Sequence, residues 1–111
     1  MTTTTATALV EYKFIENTEA TQVTATSKTI IDAVAVTNSS AAAATFNLSL
    51  VVNGGSAGNV NRAIKDKLLR AGETYLCPDV IGQVLETGDF ISAISTVASA
   101  LNIRASGRVI T

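Results

Sequence analysis

The sequence has 111 residues, of which 47% are hydrophobic and only 15% are charged. A chain of this length forms one domain with its own core, and the charged fraction, below the roughly 25% of an average soluble domain, indicates that part of the surface lies against other protein. Eight Lys and Arg stand against nine Asp and Glu, so the chain has no basic field to attract phosphates and nucleic acid is not an expected partner.

Membrane insertion, secretion and disulfide formation are also disfavoured. No apolar run reaches the roughly 18 residues of a membrane span, and the amino terminus lacks the basic and apolar segments of a secretory signal. We therefore expect synthesis and folding in a cytoplasm, without a membrane partner. Cys77 is the single cysteine, which excludes an internal disulfide, and we expect it to be a small buried residue.

The chain starts with a segment rich in threonine and alanine. Thr2–Thr7 favours an extended conformation but contains no large apolar side chain that could hold it against a core. We therefore expect residues 1–8 to form an extended N-terminal arm, mobile in a monomer, and residues 9–111 to form a single domain. Such an arm can add a strand to the sheet edge of a neighbouring subunit. Its candidate interface residues are Thr2, Thr3, Thr4 and Thr5.

Leu9–Ile15 is the first segment with the alternation of a half-buried strand. Val10, Tyr12 and Phe14 fall on one face, and the two charged residues between them fall on the other. We expect the apolar face to be buried.

Three further strands precede the middle of the chain. Thr21–Ser27 has the polar pattern of an edge strand, and Lys28–Asn38 is long enough to be a central one. After a turn of small residues, Thr45–Val52 has the clearest alternation in the sequence. Its expected core residues are Phe46, Leu48, Leu50 and Val52. Asn47 and Ser49 are expected to face solvent.

A glycine-rich stretch, Gly54–Gly58, matches the G-x-S-x-G pattern that presents a nucleophilic serine in α/β-hydrolases. A serine nucleophile needs a base, yet the sequence has no histidine, and Lys65 or Lys67 could serve only if desolvated. No βαβ pattern surrounds Ser56 either. We therefore expect a hairpin tip and no enzyme activity. The residues expected to supply positive φ are Asn53, Gly54, Gly55 and Gly58, of which the first three are candidate interface residues.

Two later segments, Asn61–Gly72 and Phe90–Leu101, have a spacing that is compatible with helices. The second is rich in β-branched residues, and turn signals enter strands on either side of it, so we expect strands in both segments. About eight short strands at intervals near 8 to 12 residues predict an all-β fold, an antiparallel β-sandwich or jelly roll. One short helical turn is compatible with Asp79–Val84.

Charged residues cluster in two places. The basic cluster consists of Arg62, Lys65, Lys67 and Arg70. Nucleic-acid binding would require aromatic residues between these cations, so we expect a solvated strand or an interface with an acidic neighbour. The acids Asp79, Glu86 and Asp89 lie near turns but lack the ligand order of an EF-hand. We expect no metal and no cofactor.

The second half of the chain carries turn and strand motifs in a fixed order. They are a strand ending in V-x-N, an alanine-rich turn, an alternating strand, a G-E-T turn, an L-x-x-G-D-x-I turn and a closing S-G-x-x-I-T. These are Val36–Asn38, Ser39–Ala44, Thr45–Val52, Gly72–Thr74, Leu85–Ile91 and Ser106–Thr111. The order, which covers Lys28–Thr111, resembles small β-sandwich virion proteins of tailed bacteriophages.

The resemblance implies a virion structural protein, made in the cytoplasm of the host bacterium, with no catalytic residues and no small-molecule substrate. Similar sandwiches serve as capsid decoration or cement proteins, as neck components, and as parts of tail tips and fibres. We expect capsid decoration, with two kinds of partner: further copies of the chain in a symmetric homo-oligomer such as a trimer, and the major capsid protein. The alternative is a neck, tail-tip or fibre component that binds another virion protein or a host receptor or glycan. Aromatic residues exposed at the loop tips of the sandwich would favour binding to a host receptor or glycan, because aromatic rings stack on sugars.

Overall fold

The computed structural model describes residues 2–111, which form nine β-strands and two 3-10 turns. The strands are β1 (Thr4–Phe14), β2 (Ala20–Thr24), β3 (Lys28–Asn38), β4 (Ala44–Val51), β5 (Arg62–Leu69), β6 (Thr74–Tyr75), β7 (Val84–Leu85), β8 (Phe90–Ser95) and β9 (Leu101–Ile110). The 3-10 turns are Asn59–Asn61 and Pro78–Val80. The predicted all-β fold is confirmed, and the second 3-10 turn lies at the start of the segment expected to hold a helical turn.

The strands form two antiparallel sheets. The first sheet has the order β1-β9-β3-β6, with β7 also paired to β3, and the second sheet has the order β2-β8-β4-β5. Because β6 and β7 pair with opposite ends of β3, they share one edge position and the nine strands fill eight positions. An eight-position sandwich in which β9 lies between β1 and β3, and β8 between β2 and β4, has the strand order of a jelly roll.

Both segments with helical spacing contain strands. Arg62–Leu69 pairs with β4 at the edge of the second sheet, and Phe90–Ser95 lies between β2 and β4. Ile91 of β8 is opposite Val23 of β2 on one side and Leu50 of β4 on the other, which is the two-sided pairing of a central strand. Val, Ile and Thr fit the pleated surface of a sheet, so the tertiary pairing agrees with the local composition.

The core lies between the sheets and is mainly aliphatic. Its fully buried side chains come from both sheets and include Ile31, Phe46, Leu48, Ile91, Leu101 and Ile103. Phe46 is the fully buried aromatic residue among them, and its ring centroid lies 6.5 Å from that of Tyr75. Full burial of each large side chain stabilises the fold by about 1.5–3 kcal/mol.

The alternation predicted for β4 is correct only in part. Phe46 and Leu48 are fully buried and Leu50 packs partly against the core. Val52 follows the last residue of the strand and is 67% exposed. Ser49 lies on the outer face as expected, yet it is fully buried, because other side chains cover that face of the second sheet.

The burial predicted for the first apolar strand is wrong at two residues. Val10 is opposite Ala105 and Lys13 is opposite Ile103, so β1 advances three residues (10 to 13) while β9 advances two (103 to 105). This β-bulge shifts the alternation by one residue. Val10 stays in the core, whereas Tyr12 is 72% and Phe14 is 47% exposed.

The expected division between an arm of residues 1–8 and a domain of residues 9–111 falls within β1, at a register shift between Ala8 and Val10. Before this shift, Thr4–Ala8 pairs with β9 from Ile110 to Ser106. Backbone pairing holds this segment in its own sheet without any large apolar side chain. Met1 lies outside the described residues.

A candidate assembly surface

An exposed aromatic patch lies on the outer face of the first sheet. We define it as Tyr12 and Phe14 of β1 with Asn102 and Arg104 of β9. The β9 residues point outward because they alternate with Leu101, Ile103 and Ala105, which are buried in the core. Phe14 is opposite Asn102 in the register of the sheet, and the guanidinium carbon of Arg104 lies 5.3 Å from the centre of the Tyr12 ring. The bulge in β1 therefore places two aromatic rings beside an amide and a cation.

The patch encloses an open cleft of about 300 Å³, lined by Tyr12, Lys13, Phe14 and Asn102. Lys13 borders the cleft with its ammonium held by the carboxylate of Glu16, at 2.9 Å. Burial opposes the ionisation of Glu16, but the hydrogen bonds from Lys13 and Gln22 outweigh it and hold its pKa below 4.5. The cleft thus combines apolar ring surfaces with hydrogen-bonding groups at its rim.

The predicted interface residues Thr2, Thr3, Thr4 and Thr5 lie at one exposed edge of the first sheet. Thr3 and Thr111 exchange backbone hydrogen bonds of 2.6 and 2.8 Å, and Thr4 and Thr5 are opposite Ile110 and Val109. One side of β1 is therefore paired with β9, and its other side forms the sheet edge.

A cavity of about 260 Å³ separates this part of β1 from the second sheet. Its lining includes Thr7, Leu9, Val23, Ala25 and Leu85. Residues 2–8 are all exposed, so the amino-terminal half of β1 extends beyond the cover of the second sheet.

Three residues of the basic cluster lie on β5, at one edge of the second sheet, and the fourth, Arg70, directly follows this strand. Lys65 and Arg70 are exposed, and the Lys67 ammonium lies 4.6 Å from the centre of the Tyr75 ring. Asp66 has φ of 50°, and its backbone N–H donates to Asn47 Oδ1 at 2.8 Å. The register between β4 and β5 shifts across this position, between Lys67 and Ile64, and again between Ile64 and Arg62, so the edge is both charged and irregular.

Arg62, the first residue of the same cluster, has partners within its own chain. Its guanidinium donates to Glu19 Oε1 at 2.7 Å and to Ser49 Oγ at 2.9 Å. Ser92 Oγ donates to the second oxygen of Glu19, also at 2.7 Å. Burial opposes the ionisation of Glu19, but the bonds from Arg62 and Ser92 outweigh it and lower its pKa below 4.5. This network covers the outer face of β4 and explains the burial of Ser49.

The glycine-rich stretch connects β4 to β5, as expected of a hairpin loop. Of the four residues expected to have positive φ, only Gly54 does, at 82°, and Gly58 is extended with φ of −173°. Gly55 folds back so that its N–H donates to the carbonyl of Val52 at 2.9 Å. Asn53 is anchored by its backbone N–H, which donates to Asp89 Oδ1 at 2.9 Å.

Ser56 is exposed in this loop, and its backbone carbonyl accepts a hydrogen bond from the Asn61 side chain at 2.9 Å. This bond ties the two halves of the loop together.

The three acids considered for a calcium site are engaged separately. Tyr75 donates to Asp79, at 2.5 Å, Glu86 faces Lys28, and Asp89 accepts from backbone N–H groups. Within residues 2–111, no group of three or more potential metal-ligating side chains converges. Cys77 is fully buried as predicted, and burial together with the nearby Asp79 raises its pKa to about 12.

The candidate residues named from the sequence therefore do not form one surface. The threonines lie on the edge of the first sheet, the cations on an edge of the second, and Asn53, Gly54 and Gly55 in the β4–β5 loop. Sequence reasoning missed the patch because it assigned Tyr12 and Phe14 to the core. An alternating pattern interrupted by a bulge gives no signal unless the partner strand is known.

Comparison with protein-family models, curated proteins and solved structures finds no significant match. Across the described residues, no helix has the length and apolar character needed to cross a membrane.

Proposed function

We propose that this protein is an accessory structural protein of a tailed-phage virion, and that it decorates the capsid. The jelly-roll strand order supports this proposal by analogy, since the architecture recurs in viral capsid domains and in lectins. Fold alone does not determine function, so the proposal depends on a surface feature.

The feature that carries the proposal is the aromatic patch. Tyr, Phe and Arg are enriched in protein interfaces relative to the remaining surface, and clustered rings beside an arginine are typical of the residues that dominate binding energy. Two of the five Tyr and Phe residues of the chain lie in this patch, outside the core. The partner at this surface is the major capsid protein.

Co-sedimentation with particles tests the proposal. The double variant Tyr12→Ala/Phe14→Ala should lose at least tenfold in affinity for particles of the phage or prophage that encodes the chain. Val60→Ala is the matched control, because Val60 is a 97% exposed apolar residue in the β4–β5 loop, away from the patch. If the wild-type protein stays in the supernatant, or if both variants bind like the wild type, the proposed role of the patch is wrong.

A second candidate function is glycan binding by the same patch. It is favoured by the cleft between Tyr12 and Phe14, where ring faces can stack on a sugar and Asn102 can bond to its hydroxyls. A glycan array separates the two candidates: reproducible binding that Tyr12→Ala abolishes would support glycan recognition at this patch. Binding to purified particles free of host glycans supports capsid decoration instead.

A further inference from the structure

The edge strands of the two sheets differ in how they are protected against pairing with another chain. β5 carries Lys65 and Lys67 beside the irregular Asp66, β2 is short and has a register shift, and β6 and β7 have two residues each. Charges, bulges and shortness are the usual protection of a sheet edge. Thr4–Ala8 of β1 is uncharged, contains no proline, pairs with β9 in regular register and is exposed throughout.

The backbone of this segment has free hydrogen-bonding groups on its outer side. Thr3 and Thr111 exchange their two backbone bonds, and the register is regular from there to Ala8. In an antiparallel pair, alternate residues bond to the same neighbour, so Thr5 and Thr7 bond to β9. The residues whose N–H and C=O point away from β9 are therefore Thr4, Ala6 and Ala8.

We propose that two copies of this chain pair antiparallel through Thr4–Ala8, with Ala6 opposite its counterpart on a two-fold axis. This register sets Thr4 opposite Ala8 and Thr5 opposite Thr7, so each outward N–H and C=O gains a partner and no like charges meet. The segment is self-complementary, as a two-fold interface requires. The first sheet then continues from one copy into the next.

The inference goes beyond the proposed function and does not depend on it, since the pair forms in solution with or without a particle. A pair of short strands is smaller than a standard interface of about 1,600 Å². We therefore expect weak association in solution, measured at protein concentrations up to about 1 mM. On a particle, many weak contacts of this kind add through the effective concentration of neighbouring copies.

Cysteine cross-linking tests the pairing and its register. Ala6→Cys places two thiols opposite each other across the axis, so mild oxidation should convert most of the variant to a disulfide-linked dimer. Ala8→Cys is the matched control: it has the same exposure and sheet face, but it lies opposite Thr4 and should cross-link at least tenfold more slowly. The native Cys77 is buried and does not interfere. Comparable cross-linking of both variants, or none, overturns the proposed pairing.

Two variants of opposite charge at Ala6, tested alone and mixed, distinguish a loss of pairing from a loss of folding. Ala6→Lys and Ala6→Glu should each sediment as monomers at concentrations where the wild type associates, because like charges then face each other. An equimolar mixture of the two should associate again. A wild-type chain that stays monomeric at about 1 mM, or a mixture that fails to associate, overturns the inference and leaves the edge to a strand from another protein.

Discussion

Leu48 lies fully buried between the two sheets, whereas Val52, four residues along, is 67% exposed. Leu48→Ala removes buried methyl groups and leaves a cavity, so we expect the free energy of unfolding to fall by about 2–5 kcal/mol. Val52→Ala should cost less than about 0.5 kcal/mol. Urea unfolding monitored by circular dichroism measures both. Equal losses of unfolding free energy would mean that Val52 is buried like Leu48, which contradicts the end of β4 at Val51.

Ser49 is buried on the outer face of β4 as the acceptor of a hydrogen bond from Arg62. Ser49→Ala leaves one guanidinium N–H without its partner in a covered site, which should cost about 1–2 kcal/mol of unfolding free energy. Ser56→Ala is the control, since that side chain is exposed in the hairpin loop, and we expect almost no change. A neutral Ser49→Ala variant would show that water replaces the serine without loss.

Cys77 combines full burial with a pKa raised to about 12. Because the thiolate is the reactive form, a thiol-specific disulfide reagent at neutral pH should label the native protein at least a hundredfold more slowly than the urea-unfolded chain. Rapid labelling of the native protein would mean that the segment around the second 3-10 turn opens frequently.

Among the connections between elements, the turn that enters β8 places a glycine where a side chain has no room. Gly88 has φ of 91°, and an added Cβ would lie 2.5 Å from Cγ of Asn53. Gly88→Ala should therefore cost about 2 kcal/mol or more. Gly58→Ala is the matched control, because Gly58 is extended and has open space around its Cα. Similar melting temperatures for the two variants would place the β4–β5 loop away from this turn.

For the individual strands, the sequence predicts position and buried face correctly where the strand is regular. The periodic burial of Phe46 and Leu48 is visible in the letters, and so are the edge position of β2 and the central position of β3. The bulge in β1 is invisible because no glycine marks it, and a shift of one residue reverses which side chains face the core. The pairing of Thr4–Ala8 with β9 is also hidden, because backbone hydrogen bonds leave no apolar signature.

The acidic partner of Arg62 was hidden for a related reason. Arg62 belongs to a cluster of cations in the sequence, but its partner Glu19 lies 43 residues away. The two are brought together only by the successive pairing of β5 with β4, β4 with β8 and β8 with β2. Charge patterns along a chain predict solvated surfaces better than specific ion pairs. Whether a charged residue is available for an interface can therefore be decided only once its partners in the folded chain are known.

For the whole molecule, the carboxylates of Glu16 and Glu19 make stability depend on acid pH. Both have a pKa below 4.5 in the folded state, so their stabilisation is complete above the unfolded value of 4.5 and is lost as pH falls through the lowered folded values. Glu19→Gln should reduce the fall in the urea midpoint between about pH 6 and pH 2. If the urea midpoint of the Glu19→Gln variant falls with pH as steeply as that of the wild type, the Arg62–Glu19 pair adds nothing to stability.

The most direct test of the proposed virion role is an electron cryo-microscopy map of phage particles assembled in cells that express this chain from its native gene. The proposed function predicts that the jelly roll fits density on the outside of the capsid, with Tyr12 and Phe14 against the major capsid protein. Density for the chain in which the outer face of the first sheet is turned to solvent, or particles that contain no copy of the chain, would contradict it.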